Sequence, residues 1–321
     1  MNTGLRWSIL TIVSAPELSY RFEAVDACVM CGGREATTLG RRLNRHQGIR
    51  PRGKHGVATT VVRCCGCGLV YSDPRPVPET LEQHYDLPPE EYWHAAARAG
   101  YFEPGPDHFS EQIAAFRRLW TGSGTPRALD VGAGIGKTMM ALERSGFETS
   151  GIEPSPAFFQ RAITRGIDRD RLRPAAIETA QFEPNSFDFV SFGAVLEHLH
   201  DPAGALEKTI GWTARGGLIY VEVPSANWLM ARVLNAFYRV QGLESVTNLS
   251  PMHPPFHLYE FTLEAFRRHG WRAGYEVISH EFFVCQTYLP RPVARVAERI
   301  MTTTNTGMML LVWLRSAPNA D

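Results

Sequence analysis

A glycine-rich turn between a short apolar run and a helical segment constrains the fold of this chain most. Residues 128–131 have the composition of a short buried strand, and Gly132, Gly134 and Gly136 follow before a helical segment that begins at Lys137. In a parallel sheet such a turn lies at the carboxyl end of a strand, where these sheets bind their ligands. The sequence therefore predicts a ligand crevice at this turn.

The order of strand, turn and helix repeats along the rest of the chain. Further strands are predicted at 147–152, 187–192, 217–223, 275–283 and 308–314. Because helical segments separate the earlier strands, we predict an α/β fold with a parallel sheet and helices on both faces. Residues 225–260 interrupt the order with an apolar helical piece and a loop rich in Pro and His, which we interpret as a lid insertion near the site.

The spacing of the glycines separates two classes of ligand. A dinucleotide-binding turn has glycine at its first, third and sixth positions, whereas the sixth position counted from Gly132 is Lys137. The third glycine stands at the fifth position instead, and Asp130 lies two residues before the first. This spacing disfavours a nicotinamide-dependent reductase and favours a ligand that approaches the backbone closely but has no pyrophosphate.

The turn resembles that of the class I S-adenosylmethionine (SAM)-dependent methyltransferases, and the resemblance runs from about Arg127 to the last strand. Further motifs that carry it are 151–155 (GIEPS), 185–190 (NSFDFV), 195–202 (VLEHLHDP), 215–219 (RGGLI) and 257–262 (HLYEFT). The resemblance implies a Rossmann-like core of seven strands. It also implies an enzyme that methylates oxygen or carbon of a small molecule, such as a sugar, a polyketide or another specialised metabolite.

The same resemblance implies which residues bind SAM. Glu153 would accept hydrogen bonds from both ribose hydroxyls, and Asp130 would orient the glycine turn. The three glycines would let the ligand approach the backbone. Glu178 would lie near the adenine, and Phe192 with Gly193 would form a wall beside the sulfonium.

Three histidines are candidate catalytic bases. Methyl transfer from a sulfonium is an in-line displacement, so alignment and exclusion of water supply much of the acceleration. A base is needed when the acceptor must lose a proton. We name His198, His253 and His257 for this role, with Tyr259 a weaker candidate, and a structural role is the competing interpretation for each histidine.

Two cysteine motifs precede this core. The four cysteines of the two CxxC pairs, each pair followed by glycine, are Cys28, Cys31, Cys64 and Cys67. Two such pairs supply four thiolate ligands for a tetrahedral zinc ion, which would be structural because the protein fills every position. Reduced structural or redox cysteines are the alternative. We expect Cys65 to stand outside the site and Cys285 to be a core thiol.

Composition divides the chain into three parts. We predict a zinc-ribbon-like domain over residues 1–78, a helical linker over 79–120, and the methyltransferase core over 121–321. The Pro-rich exit of the ribbon, 73–78, reads as an extended linker. This ribbon also resembles the N-terminal domain of a subgroup of methyltransferases that includes sugar and natural-product enzymes.

Basic residues are concentrated near the N-terminus although the formal net charge is zero. Residues 1–75 hold eleven Lys and Arg against five Asp and Glu, and seven of the basic residues lie between Arg41 and Arg63 without an acid. Such a run would attract the phosphates of a nucleotide-linked or carrier-linked acceptor, and a solvated Arg-rich loop is the competing interpretation. Nucleic acid is disfavoured as a partner because the run has no aromatic residue for base stacking.

We expect a cytoplasmic protein with no membrane partner, and we make no prediction of its oligomeric state. The chain contains no run of about 18 uncharged apolar residues. The apolar stretch at 7–13 is short and has no signal-peptide cleavage site after it. Six cysteines at uneven spacing suit a metal site in a reducing compartment better than a disulfide framework.

The main alternative to an enzyme is a binding module. In that hypothesis the ribbon binds nucleic acid or protein, and the methyltransferase core is vestigial. The glycine turn and Glu153 argue against it, since a vestigial site needs neither feature.

Overall fold

The computed structural model describes residues 19–44, 57–80, 87–92, 105–284, 287 and 289–316. Some of the sequence predictions lie outside the described residues. They concern the stretch at 7–13, the basic residues Arg45, Arg50, Arg52 and Lys54, and Cys285.

Thirteen strands and eight helices form in the described part of the chain. The strands are β1 (Tyr20–Glu23), β2 (Ala36–Leu43), β3 (Ala58–Cys64), β4 (Val70–Ser72), β5 (Arg75–Pro78), β6 (Arg127–Val131), β7 (Glu148–Ile152), β8 (Leu172–Arg173), β9 (Phe187–Gly193), β10 (Thr213–Pro224), β11 (Tyr259–Glu260), β12 (Tyr275–Phe283) and β13 (Met309–Ser316). The helices are α1 (Pro89–Tyr92), α2 (Ser110–Leu119), α3 (Lys137–Arg144), α4 (Pro156–Thr164), α5 (Pro202–Trp212), α6 (Leu229–Val240), α7 (Leu263–Ala273) and α8 (Arg291–Thr304). None of these helices has both the length and the apolar character needed to cross a membrane.

A seven-stranded sheet forms the centre of the fold. Its order is β8-β7-β6-β9-β10-β13-β12, with β6 to β10 parallel and β13 antiparallel to both of its neighbours. This arrangement confirms the predicted Rossmann-like core. The chain moves outward from β6 to β8 and then returns to β9 on the other side of β6. The glycine turn after β6 therefore lies at the point where the strand order reverses, which is where open α/β sheets bind ligands.

Apolar side chains cover both faces of this sheet. Phe189 and Val190 are neighbours in β9 and point to opposite faces, as successive strand residues must. Phe189 packs with Phe116 of α2 in one core cluster, whereas Val190 packs with Leu206 of α5 in another. Helices therefore pack on both faces of the sheet, as the sequence predicts, and they keep the central strands out of water.

The ribbon and the lid insertion share a second sheet. Its order is β11-β4-β3-β2, so the last residues of the insertion pair with a strand of the ribbon. At the other edge, Arg41 N donates to Glu244 O at 2.7 Å and Val246 N donates to Arg41 O at 3.1 Å. The insertion therefore contacts the ribbon sheet at both edges, and the ribbon supports the segment that carries two of the candidate bases.

The structure differs from the sequence predictions at the Pro-rich exit and near the C-terminal end of the described residues. The Pro-rich exit is extended as expected, but 75–78 is not a free linker, because β5 pairs with β1 in an antiparallel ladder. Helix α8 has no counterpart among the predictions, although Val293, Val296 and Ile300 have helical spacing. Of the predicted linker, the described parts hold α1 and α2.

Candidate functional site

The glycine turn leaves β6 in a left-handed conformation. Gly132 has a φ of 67° and Gly134 a φ of 57°, which side-chain-bearing residues adopt rarely. A Cβ added at Gly132 would lie 2.7 Å from Cγ2 of Val195, so this backbone packs directly on the segment after β9. At Gly134 the nearest atom would be Phe158 Cδ1, at 3.8 Å. A Cβ at Gly134 would therefore meet no clash.

Glu153 lies at the carboxyl end of β7 and holds the glycine turn. Its carboxylate is buried, with Oε2 accepting a hydrogen bond from Gly134 N at 2.7 Å and Oε1 accepting one from Ser155 N at 2.8 Å. Burial raises the pKa of Glu153 to about 7, and the two N–H donors act in the opposite direction. Each oxygen keeps lone-pair capacity beyond its backbone bond, so the group has the acceptors that a vicinal diol requires.

Asp130 lies behind the turn, within the sheet. It pairs in register with Ser191 of β9, whose Oγ donates to Asp130 Oδ1 at 2.7 Å. The pKa of Asp130 is raised to about 7, because burial and the nearby carboxylate of Glu153 raise it while the hydrogen bond from Ser191 lowers it. The side chain thus connects β6 to β9 at the base of the turn.

The other predicted SAM contacts occupy different environments. Phe192 is fully buried in the core, whereas Gly193 is exposed and has no atom within 4 Å of an added Cβ. Glu178 is exposed in a turn after β8, where its carbonyl accepts a hydrogen bond from Lys208 Nζ at 2.8 Å. Gly136 caps the start of α3. Among these four residues, Gly193 is the one that borders open space at the carboxyl end of the sheet.

Two of the three candidate bases meet at a buried carboxylate. Leu196–His198 forms a short 3-10 turn after β9, and Glu197 in this turn is fully buried. Glu197 Oε1 lies 4.0 Å from His198 Nε2 and 3.9 Å from His257 Nε2. Leu258 N donates to Glu197 O at 2.7 Å, which fastens the insertion to the turn. The structure therefore brings His198 and His257 together and adds Glu197.

Burial favours the uncharged forms of Glu197, His198 and His257, which together form this cluster. It raises the pKa of Glu197 to about 8, lowers that of His198 to about 4, and lowers that of His257 well below its ordinary value. In the described part of the chain neither carboxylate oxygen of Glu197 has a hydrogen-bond partner. Neutral imidazoles are the form that accepts a proton. The three groups lie within 4.8 Å of one another, a spacing that would also admit a cation.

His253 is engaged elsewhere. Arg42 of the ribbon lies 3.2 Å from it, measured from Nη2 to His253 Nε2. A guanidinium can only donate, so His253 Nε2 accepts this hydrogen bond and carries no proton. This nitrogen is consequently not available to a substrate while the contact holds.

The four predicted metal ligands converge in the ribbon. Cys28 Sγ lies 3.5 Å from Cys67 Sγ, Cys31 Sγ lies 3.5 Å from Cys64 Sγ, and all four sulfurs are within 4.8 Å of one another. Four thiolates about 2.3 Å from a tetrahedral zinc ion would be about 3.8 Å apart, so the cluster fits zinc. Cys65 is exposed and lies outside it, as predicted.

Comparison with known proteins identifies the core. A family model described as "Methyltransferase domain" matches residues 105–280, which is more than half of the chain. The chain belongs to the methyltransferase family. Together with the sheet order, this match confirms the resemblance to the class I SAM-dependent enzymes. In its fold the methyltransferase is similar to a chain in the complex between the Haloferax volcanii Trm112 methyltransferase activator and a methyltransferase, with a TM-score of 0.52, 18% identity, and coverage of 72% of this chain and 99% of that one.

Curated relatives of the methyltransferase cover its core in part. A ubiquinone biosynthesis O-methyltransferase of Xylella fastidiosa is 30% identical over 167 residues, which are 49% of this chain and 65% of that protein. The enzyme of the same name from Yersinia pestis is 28% identical over 129 residues, which are 38% of this chain and 53% of that protein. The chain thus spans between half and two thirds of the length of these relatives.

The sequence predictions assigned no role to Glu197. It interrupts an apolar run as the one ionisable residue of 192–197, and such a residue is a signal of function. Arg42 lies in the basic run for which we predicted phosphate binding, with a solvated loop as the competing interpretation, but its burial was not predicted.

The substitution Glu197→Gln should flatten the pH dependence of stability. The folded protein keeps a proton on Glu197 up to about pH 8, whereas the unfolded chain loses it near pH 4.5, so the free energy of unfolding falls as pH rises through this window. Between pH 7 and 8.5 the wild type should lose about 1 kcal/mol more than the variant, measured by urea denaturation. The exposed Glu276→Gln is the control, and equal pH slopes for wild type and Glu197→Gln would contradict the assignment.

Proposed function

We propose that this methyltransferase transfers the methyl group of SAM to a hydroxyl oxygen of a small molecule. The observation that carries the proposal is the contact between the glycine turn and the segment after β9. Gly132 packs on Val195, and Glu197 follows two residues later with His198 and His257 around it. The donor-binding turn and a cluster able to accept a proton are therefore adjacent at one end of the sheet.

On the donor side, Glu153 and the backbone of the glycine turn would hold the cofactor. SAM supplies a methyl group on a sulfonium when it is bound. The two oxygens of Glu153 have the lone pairs for the two ribose hydroxyls, and Gly134 leaves room for the ligand. Gly193 would border the reacting methyl group, as the family resemblance implies.

On the acceptor side, His257 is the proposed general base. Its side chain is 26% exposed, against 14% for His198, so it is the more accessible of the two imidazoles near Glu197. Neutral His257 would take the proton of the acceptor hydroxyl as the methyl group is transferred. Glu197 Oε1, 3.9 Å from His257 Nε2, would lie beside the resulting imidazolium until His257 passes the proton to solvent.

Two observations support a small-molecule acceptor over a ribbon that acts as a binding module. Curated relatives are named O-methyltransferases of ubiquinone biosynthesis. In addition, the described basic residues of the ribbon run do not form an open patch. Arg41 is exposed, but Arg42 is buried and Arg63 donates to Ala226 O of the insertion at 2.9 Å. These arginines connect the ribbon to the core, so we propose that the ribbon supports catalysis.

The substitution His257→Gln should reduce turnover while leaving donor binding intact. Loss of a general base costs about 100- to 10,000-fold in kcat. The assay follows transfer of a radiolabelled methyl group from SAM to a panel of phenolic and aliphatic alcohols, with binding of S-adenosylhomocysteine measured separately. The exposed His280→Gln serves as the control. Transfer by the wild type to no member of a broad alcohol panel, or full activity of His257→Gln, would contradict the proposal.

The substitution Glu153→Gln should weaken binding of SAM about 10- to 100-fold. An amide keeps the shape of the side chain but loses the charge that strengthens the ribose hydrogen bonds. Calorimetric titration measures the loss, and thermal unfolding shows whether the turn stays folded. Glu148→Gln, at the exposed start of the same strand, should bind as the wild type does. Unchanged affinity in Glu153→Gln would remove this residue from the donor site.

We also propose that the four cysteines of the ribbon hold one structural zinc ion. Purified protein should contain about one zinc per chain by atomic emission, since all four ligand positions are filled by thiolates. Cys28→Ser should lose the metal and unfold at a lower temperature, whereas Cys65→Ser should keep it. Wild-type protein that contains no zinc and is not stabilised by added zinc would contradict this assignment.

A further inference from the structure

The guanidinium group of Arg42 lies where the ribbon sheet contacts the lid insertion. We call this contact region the seam. The residue is 6% exposed. Its Nε donates to Leu249 O at 2.8 Å and its Nη2 donates to His253 Nε2 at 3.2 Å. The third nitrogen, Nη1, is buried and has no hydrogen-bond partner among the described residues. A buried, charged N–H group that makes no hydrogen bond costs folding free energy. We therefore expect a hydrogen-bond acceptor to bind at this nitrogen.

Thr59 is a second buried residue with a polar atom that has no hydrogen-bond partner among the described residues, and it lies on the same face of the ribbon sheet. It is the register partner of Arg42 across the antiparallel pair of β2 and β3, so the two side chains lie on one face. Thr59 is 3% exposed, and its Oγ1 also lacks a partner in the described part of the chain. A hydroxyl can donate as well as accept. Two buried groups able to donate hydrogen bonds are therefore neighbours at the seam.

The charges at this seam favour an anion. Arg63, which lies in β3 four residues after Thr59, donates to Ala226 O of the insertion. Glu260 is the nearby carboxylate, and it accepts hydrogen bonds from Asn248 Nδ2 and Leu249 N. Burial lowers the pKa of both arginines, which means that their charged forms lack solvation. These three groups together carry a net positive charge, which a bound anion would neutralise.

One loop joins the seam to the proposed acceptor side of the site. His253, which Arg42 holds, belongs to the same loop as the proposed base His257. Ser250 N donates to His257 O at 3.1 Å, and Phe256 N donates to His253 O at 2.8 Å, so the loop is closed on itself. Since Nη1 is shielded from solvent, this loop has to open before an anion can reach Arg42.

We propose that Arg42 and Thr59 bind an oxyanion of the methyl acceptor, which is therefore a small acid bearing a carboxylate or a phosphate. The proposal rests on the proposed function and names the substrate class for that same site. A guanidinium presents parallel N–H donors that match the two oxygens of such a group. The ribbon then selects the acceptor directly, in addition to supporting the insertion.

The test uses the full chain with S-adenosylhomocysteine present. Benzoate, phenyl phosphate and the uncharged benzamide are titrated separately by calorimetry, after binding of S-adenosylhomocysteine has been measured in the same sample. At least one of the two anions should bind and benzamide should not. Stronger binding of benzoate identifies a carboxylic acid acceptor, and stronger binding of phenyl phosphate identifies a phosphorylated one.

Single substitutions test whether the anion binds at the seam. Arg42→Gln should weaken anion binding by about 10-fold or more. Its exposed neighbour Arg41→Gln should leave binding unchanged. Thr59→Val, which keeps the shape of the side chain and removes the hydroxyl, should weaken binding several-fold and is decisive if Arg42→Gln does not fold.

Two results would overturn the proposal while leaving the proposed function standing. One is bound S-adenosylhomocysteine with no binding of either anion. The other is equal anion binding by wild type, Thr59→Val and a folded Arg42→Gln. Failure to bind S-adenosylhomocysteine would instead overturn the proposed function and, with it, this inference.

Discussion

A single buried carboxylate holds the glycine turn of this methyltransferase, where we propose that the donor binds. Glu153 joins the end of β7 to the glycine turn after β6 through hydrogen bonds from Gly134 and Ser155. The turn lies where the strand order of the sheet reverses, and there the backbone has left-handed conformations that only glycine adopts readily. Without these hydrogen bonds the backbone at Gly134 would be less well fixed. The chemistry proposed at the neighbouring histidines depends on a donor held at that turn.

The proposed acceptor side depends on a part of the chain far away in sequence. The ribbon sheet contacts the insertion at both edges, through β11 at one edge and Arg41 at the other. The insertion in turn places His257 beside Glu197, which belongs to the core. The ribbon, with its cluster of four cysteines, is thus part of the architecture of the proposed acceptor site. This explains why Arg42 is buried and Arg63 donates to the insertion, although a solvated loop was one interpretation of their composition.

Features that depend on local spacing could be predicted from the sequence. The glycine turn, Glu153 at the end of the next strand, and the two cysteine pairs are each defined by a few consecutive residues, and the order of strands and helices follows from periodicity. Features that depend on contacts across the fold could not. The meeting of His198 with His257 requires the insertion to fold back onto the turn after β9. Likewise, β5 is a paired strand because β1 lies beside it, which no pattern within 73–78 indicates.

The most direct test of this account is a crystal structure of the protein with S-adenosylhomocysteine. It should show both ribose hydroxyls bonded to the carboxylate oxygens of Glu153, with the sulfur beside Gly193 and facing the side of the site that holds His257. A ligand bound at any other place, or a ribose that makes no contact with Glu153, would contradict the account.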